Sequence, residues 1–231
     1  MTKEAAQNLP VEEPKAQLPT TQAYVSNLFE KIQTEFLEVN AGMDLDFVYM
    51  TTWLQIDAKG NFVEKNSDEV VKNYGDNLDV VIAKGEQKFS LWGKEKSPED
   101  GQLIVAENTL EDAEAVFESW LELNPLAQER YSVSDIQSRY LAYIVPVESL
   151  TEEVPKIYTL GMAPTSKMAF GQWSFNVFKG SYTAKGIKKN TGINNIVTKL
   201  KTVSKVNKQK ENYIAIQFEA VEMFKPEKFV K

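Results

Sequence analysis

The chain has 231 residues, of which 42% are hydrophobic and 11% aromatic, and its formal net charge is −7. This length and apolar content suffice for one sizeable hydrophobic core, so we expect a globular protein. The sequence contains neither cysteine nor histidine. Disulfides, thiolate nucleophiles, metal sites ligated by Cys or His, and Ser/His catalytic machinery are therefore excluded. We accordingly expect a binding protein without catalytic residues, metal or cofactor.

The amino-terminal segment, Met1 to about Thr20, combines prolines and glutamates with few large apolar side chains. Such a composition cannot bury enough surface to offset chain entropy, which predicts a disordered acidic arm over residues 1–20. Residues 21–231 are predicted to form a single α+β domain. No segment resembles a signal peptide and no run approaches the length of a membrane span, so we expect a cytoplasmic protein without a membrane partner.

Helices are predicted where apolar residues recur at helical spacing. The first begins at Ala23. Asn66 and Glu69 form a capping-box pattern that predicts a short second helix. A further helix is predicted from Thr109, whose hydroxyl can cap it, to Asn124-Pro125, where the proline ends it.

Strands are predicted where apolar residues alternate or form short runs between turn residues. These segments are Phe47–Ile56, Phe62–Val63, Leu78–Ala83, Lys88–Trp92, Gln102–Ala106, Tyr140–Val147, Ile157–Met162, Ile196–Val206 and Tyr213–Met223. Gln172–Phe178 fits a strand and a helix equally well. The pattern predicts a small antiparallel barrel or sheet with two or three packed helices.

Charge is distributed unevenly along the chain. Lys156 to Lys231 holds 14 lysines and four acidic residues, a net charge of about +10. Everything before Lys156 holds 12 basic and 29 acidic residues, a net charge of about −17. Such asymmetry indicates a surface that faces a polyanion.

The predicted hairpin over residues 196–223 belongs to the most basic part of the sequence. Strand alternation places Lys199, Lys201 and Lys205 on the face opposite the apolar side chains. Aligned ammonium groups neutralise phosphates and release counterions, which gives affinity without sequence preference. We predict as phosphate contacts the eight lysines of a stretch without acids: Lys185, Lys188, Lys189, Lys199, Lys201, Lys205, Lys208 and Lys210.

Aromatic residues near these lysines can stack the bases of a single strand, each stack being worth about 1–3 kcal/mol. We predict Trp173, Tyr182 and Tyr213 in this role. No arginine follows Arg139, which favours sequence-independent binding. Two alternatives stay open: a lysine-rich hairpin is also typical of a solvated sheet edge, and Trp173 is also typical of a core.

The order of segments suggests a family. Strands Tyr140-Leu-Ala-Tyr-Ile-Val and Ile157-Tyr-Thr-Leu, the segment Trp173-Ser-Phe-Asn-Val-Phe, and the hairpin from Ile196-Val-Thr-Lys-Leu-Lys to Tyr213-Ile-Ala-Ile-Gln-Phe resemble phage-encoded single-stranded-DNA-binding proteins. The resemblance covers roughly Arg139 to Phe224. It implies an OB-like barrel, binding of displaced single strands in DNA replication or recombination, and replication or recombination proteins as further partners.

The residues also suggest other functions. Asp79 with Glu86-Gln87-Lys88 has the residue types of a magnesium-dependent nuclease, and Ser166-Lys167 has those of a Ser/Lys pair. Glycine-rich phosphate loops are absent from the sequence, which disfavours nucleotide hydrolysis. The main alternative is a structural or inhibitory phage protein that binds a basic protein partner through its acidic amino-terminal part.

Overall fold

The computed structural model describes residues 24–41, 51–66, 69–100, 102–152, 154–206, 210 and 212–228. These residues form a nine-stranded sheet and three α-helices, which confirms the α+β class. The predicted arm over residues 1–20 lies outside them. In chain order the elements are α1 (Tyr24–Val39), β1 (Thr52–Ile56), β2 (Phe62–Asn66), β3 (Glu69–Gly75), β4 (Asn77–Trp92), β5 (Leu103–Glu107), α2 (Leu110–Leu123), β6 (Gln137–Pro146), β7 (Tyr158–Met162), α3 (Pro164–Lys179), β8 (Ile196–Val206) and β9 (Asn212–Met223).

The strands form one curled sheet with the shape of a half-barrel. Their order is β3-β2-β1-β7-β6-β4-β8-β9, and β5 pairs with the last residues of β4. The β1–β7 pair is parallel, so the sheet is mixed and not wholly antiparallel as expected. Parallel pairing joins segments that are far apart in the chain, and the local pattern of either strand does not reveal it.

Strand β4 corrects the prediction of two strands separated at Gly85. The register against β6 shifts between Ile82 and Lys84, so a bulge absorbs the irregularity and the pairing continues to Ser90. Gly85 is needed for close packing, because an added Cβ would lie 2.3 Å from the Tyr140 hydroxyl. The glycine thus marks a close approach inside a strand and does not end the strand.

The short helix predicted from Asn66 is wrong, because Glu69–Gly75 is strand β3. This segment pairs with β2 in antiparallel register. Its Tyr74 ring packs edge-on against Tyr158, with ring centroids 5.9 Å apart. Pairing and ring packing are long-range contacts, and they outweigh a capping pattern that is only local.

The ambiguous segment Gln172–Phe178 is helical and belongs to α3. Pro164 occupies the first turn, and Gly180 ends the helix with φ of +84°. The helix buries Phe170, Trp173 and Val177, which recur at helical spacing. These side chains join the largest apolar cluster, to which strands from both ends of the sheet contribute. We call this side of the sheet the α3 face.

Helix α1 covers part of the opposite side of the sheet, which we call the α1 face. Val25 of the helix clusters there with Val81, Val145 and Val197. The Ser26 hydroxyl also donates to the Ala83 carbonyl. Because α1 packs over the middle of β4, the remainder of this face lies on either side of the helix.

Helix α2 packs on a third apolar cluster at the carboxyl end of β4. Phe117 is buried there against residues of β4 and β5. The predicted boundaries are confirmed: the Thr109 hydroxyl accepts from the Asp112 N–H at 3.1 Å, and the helix ends at Asn124. None of the helices in the described ranges combines the length and hydropathy needed to cross a lipid bilayer.

One threonine joins distant parts of the curled sheet. The Thr202 hydroxyl of β8 donates to the Gly60 carbonyl at 2.6 Å, and its N–H donates to the Asp76 carbonyl at 2.9 Å. These bonds hold the β1–β2 turn and the β3–β4 junction against β8.

A partly buried polar network links β7 to β2 and β3. The Tyr158 hydroxyl donates to Glu64 Oε2 at 2.6 Å, Lys156 Nζ donates to the same oxygen at 3.2 Å, and the Tyr74 hydroxyl lies 2.8 Å from that of Tyr158. Partial burial opposes ionisation of Glu64, but these hydrogen bonds outweigh it and hold the pKa of Glu64 below its ordinary value.

This network predicts a pH-dependent contribution to stability. Because the pKa of Glu64 is lower in the folded chain, the carboxylate stabilises the fold above about pH 4.5, its unfolded pKa, and the contribution is lost as the pH falls through the folded pKa. We expect Glu64→Gln to lower the free energy of unfolding at pH 7 by about 1–2 kcal/mol and by less at pH 3.5. Urea unfolding of both proteins measures this difference. A deficit equal at both pH values, or one shared by the exposed-site control Glu38→Gln, would contradict it.

Candidate nucleic-acid interface

The predicted alternation along β8 is confirmed. Leu200 is fully buried on the α3 face, while Lys201 and Lys205 are exposed. Lys199 is the cross-strand partner of Asp79 on β4. The residues on either side of Asp79 belong to the apolar cluster of the α3 face, so Asp79 and Lys199 lie on the opposite side of the sheet. The three lysines therefore lie on the α1 face, and we call Lys199, Lys201 and Lys205 the basic ribbon.

Two of the predicted phosphate contacts are engaged by carboxylates of the protein itself. Lys199 lies between Asp79 and Glu219, its neighbours on the flanking strands, with Nζ 3.6 Å from Asp79 Oδ1. Lys185 Nζ donates to Glu219 Oε1 at 2.8 Å and to the Ala220 carbonyl at 2.9 Å. These contacts lower the pKa of Glu219 and hold Lys185 at the edge of β9. Lys201 and Lys205 form no ion pair with residues that the structure describes.

The other predicted lysines are dispersed. Lys188 and Lys189 are exposed in the segment after α3, away from the basic ribbon. Lys210 is exposed in the β8–β9 connection, with φ of +64°. Lys208 lies outside the described residues. Of the predicted lysines that the structure describes, only Lys199, Lys201 and Lys205 lie in one row, along β8.

The predicted stacking residues have different environments. Trp173 is 3% exposed and packs against Phe170 and Phe218, with ring centroids 5.8 Å away in each case. The prediction that Trp173 stacks bases is therefore wrong, and the alternative that it belongs to the core is confirmed. Tyr182 is half-buried and packs against the same core. Tyr213 is half-buried, and it is the cross-strand partner of Lys205. Of the three predicted stacking residues, Tyr213 is the one that lies beside the ribbon.

A second candidate site on the α1 face was missed by the sequence reasoning. It is a cavity of about 260 Å³ beyond α1, and we call it the aromatic cavity. Its lining spans β1, β7, β6, β4 and β5. Its lining includes Trp53, Lys88, Ser90, Trp92, Arg139 and Tyr143.

The two tryptophans of the cavity form an edge-to-face pair. The ring centroids of Trp53 and Trp92 are 6.3 Å apart and the ring planes meet at 81°. Trp53 is on β1 and Trp92 is at the end of β4, two strands that are not neighbours in the sheet. The curl of the sheet brings the rings together, and the local sequence around either tryptophan contains no such signal.

Basic side chains lie beside these rings. Lys88 and Arg139 are cross-strand partners on β4 and β6 and both line the cavity. Lys88 Nζ donates to Asn108 Oδ1 at 2.7 Å and lies 3.8 Å from Glu86 Oε1. Arg139 is exposed. The cavity therefore has cationic groups that an anion can reach.

Glu86 is the carboxylate within this cationic part of the face. It accepts from the Tyr143 hydroxyl at 2.7 Å and lies 3.1 Å from Lys84 Nζ. Partial burial opposes ionisation, but the bonds from Tyr143 and Lys84 outweigh it, so the pKa of Glu86 lies below its ordinary value. Against this one negative charge stand Lys84, Lys88 and Arg139, and the local balance is positive.

The nuclease alternative fails on geometry. Asp79 and Glu86 lie along one strand, about 20 Å apart at the usual rise per residue, so they cannot share a metal ion. Within the described ranges, no group of three or more acidic side chains is placed to hold a metal.

The Ser166-Lys167 alternative fails on contacts. The Ser166 hydroxyl is buried and accepts from the Ile216 N–H at 3.0 Å, which fixes α3 against β9. Lys167 Nζ donates instead to Gln87 Oε1 at 3.1 Å. The two side chains therefore have structural partners and do not form a nucleophile and base.

Comparison with protein-family models, with curated proteins and with solved structures gave no match for this chain. Its function is therefore inferred from the geometry of the α1 face.

Proposed function

We propose that this protein binds single-stranded DNA with little sequence preference and without catalysing a reaction. One observation supports the proposal: cationic and aromatic side chains lie together on the α1 face at two places. Lys205 is directly across from Tyr213 at the ribbon, and Lys88 and Arg139 line the cavity together with the two tryptophans.

The chemistry of these groups suits a flexible single strand. Exposed ammonium groups neutralise phosphates whatever the base sequence. Rings of Trp and Tyr stack on unpaired bases, whose faces are hidden in a duplex. The ribbon contains lysine and no arginine, which disfavours bidentate recognition of guanine. Strands displaced during DNA replication or recombination are the ligands that this chemistry would meet.

Titration of labelled oligo-dT at 50 and 200 mM salt tests the proposal. For single strands the logarithm of the affinity falls with the logarithm of salt concentration at about 0.7 per neutralised phosphate. We expect the double variant Lys201→Ala/Lys205→Ala to bind more weakly and to reduce this slope by about 1.4.

The matched control is Lys188→Ala/Lys189→Ala, which removes the same charge away from the ribbon. We expect its slope to stay close to that of the wild type. Equal losses in the two double variants would show that overall charge, and not the ribbon, determines affinity. Absence of binding at 50 mM salt would refute the function itself.

A second candidate function is binding of a basic protein, and helix α2 favours it. The exposed surface of α2 and the turn after it is acidic, and Leu123 and Leu126 are 83% and 79% exposed there. Acidic side chains around exposed leucines are typical of a protein-binding surface. If the protein binds no oligonucleotide at low salt, this second function becomes the better one.

A further inference from the structure

We infer that the aromatic cavity is a binding site for a single nucleotide, with the base against the tryptophan pair and the phosphate at Lys88 and Arg139. The inference rests on the proposed function for the class of ligand. The inference extends the proposed function, because it places one base at a defined position in the cavity, whereas the ribbon contacts only the backbone.

The size of the cavity fits one ring system. Pockets for drug-sized ligands span about 300–1,000 Å³, and this cavity is slightly smaller at about 260 Å³. The perpendicular rings of Trp53 and Trp92 offer a face and an edge to a planar guest. Aromatic rings favour both offset-stacked and edge-to-face contacts, so a flat base can contact both tryptophans at once.

An unpartnered hydroxyl points to a polar ligand. Ser90 lines the cavity and is 6% exposed, and its Oγ has no hydrogen-bond partner among the described residues. A buried hydroxyl without a partner costs about 1–3 kcal/mol, so such groups normally find one. The polar edge of a base supplies a donor or an acceptor, and a hydroxyl can match either. Ser90 can therefore bind the edge of any base, in keeping with weak sequence preference.

The neighbouring hydroxyls of the cavity already have partners. Thr51 and Thr159 hydrogen-bond each other through their side chains, and Tyr143 donates to Glu86. Ser90 is thus the lining hydroxyl left for a ligand. Lys88 and Arg139 complete the site. The Lys88 ammonium is held in place by Asn108, and the Arg139 side chain is exposed. One phosphate can therefore pair with both cations.

Titration of the full chain with dTMP tests the inference, with tryptophan fluorescence as the readout. We expect saturable quenching with a Kd at or below about 1 mM. Thymidine, which lacks the phosphate, should bind more weakly, and inorganic phosphate alone should not quench. Ser90→Ala should weaken dTMP binding about fivefold, whereas the control Ser204→Ala, at an exposed position of β8, should not. Thermal unfolding verifies that each variant is folded.

The outcomes separate this inference from the proposed function. If oligo-dT binds with salt dependence while dTMP fails to quench at about 10 mM and Ser90→Ala binds oligo-dT like the wild type, the cavity is not the base site and the function stands. If dTMP binds with the expected dependence on Ser90 but oligo-dT binds no more tightly than dTMP, the nucleotide site stands and single-strand binding is refuted.

Discussion

Replacing Trp53 with alanine is expected to weaken binding of oligo-dT about 10- to 100-fold. Loss of one stacked base costs about 1–3 kcal/mol, and Trp53 also supports the ring of Trp92 at 6.3 Å. The change leaves the basic ribbon intact, so the salt dependence should stay almost unchanged while the affinity falls. Fluorescence anisotropy of labelled oligo-dT at two salt concentrations measures both quantities.

The matched control for Trp53→Ala is Phe175→Ala, because Phe175 is a 56% exposed ring on α3, on the other side of the sheet. Its removal should change oligo-dT affinity less than twofold. Trp92→Ala should resemble Trp53→Ala, and the double variant should lose less than the sum of the single losses, since the two rings hold one base. Full affinity in Trp53→Ala would show that the cavity takes no part in binding.

Replacing Trp173 with alanine is expected to destabilise the fold by about 3–5 kcal/mol. Trp173 is 3% exposed and joins Phe170 and Phe218 where α3 meets β9. Removing the indole leaves a cavity between helix and sheet that the surrounding structure fills only in part. Urea unfolding monitored by circular dichroism measures the loss.

Two further variants define the cause of this loss. Phe178→Ala removes a 53% exposed ring from the same helix, and we expect a change below about 1 kcal/mol. Trp173→Phe should cost less than Trp173→Ala, because it keeps most of the ring and removes an indole N–H that has no partner among the described residues. A stable Trp173→Ala protein with reduced oligo-dT affinity would instead restore the stacking role.

The features predicted correctly from the sequence are those with local signals. Thr109 and Asn124 bound α2 because a cap and a following proline act within one helical turn. The hairpin of β8 and β9 follows from alternation on two strands joined by a short connection. The alternation also predicted which face carries Lys201 and Lys205.

The features that were missed depend on contacts between distant residues. Gly85 resembles a strand end, but pairing with β6 carries the strand past it. Asn66 resembles a helix cap, but pairing of β3 with β2 overrides it. Such pairing is a tertiary effect, and local propensity does not contain it.

The same distinction applies to the candidate site. The number of lysines in a segment does not reveal that Asp79 and Glu219 flank Lys199, because these carboxylates belong to neighbouring strands. The sequence also does not reveal that Trp53 and Trp92 are in contact, because this contact depends on the curl of the whole sheet. The sequence contained one hint of the cavity: strand alternation places Lys88, Ser90 and Trp92 on the same side of β4.

Photo-crosslinking of the protein to oligo-dT that carries a photoreactive thymine, followed by peptide mapping, tests most directly whether the α1 face binds the strand. Crosslinks are expected in peptides that contain Trp53, Trp92, Tyr143 and Tyr213. They should disappear when unlabelled oligo-dT is in excess. Specific crosslinks confined to α2 or to the exposed rings Phe175 and Phe178 of α3 would contradict binding on the α1 face.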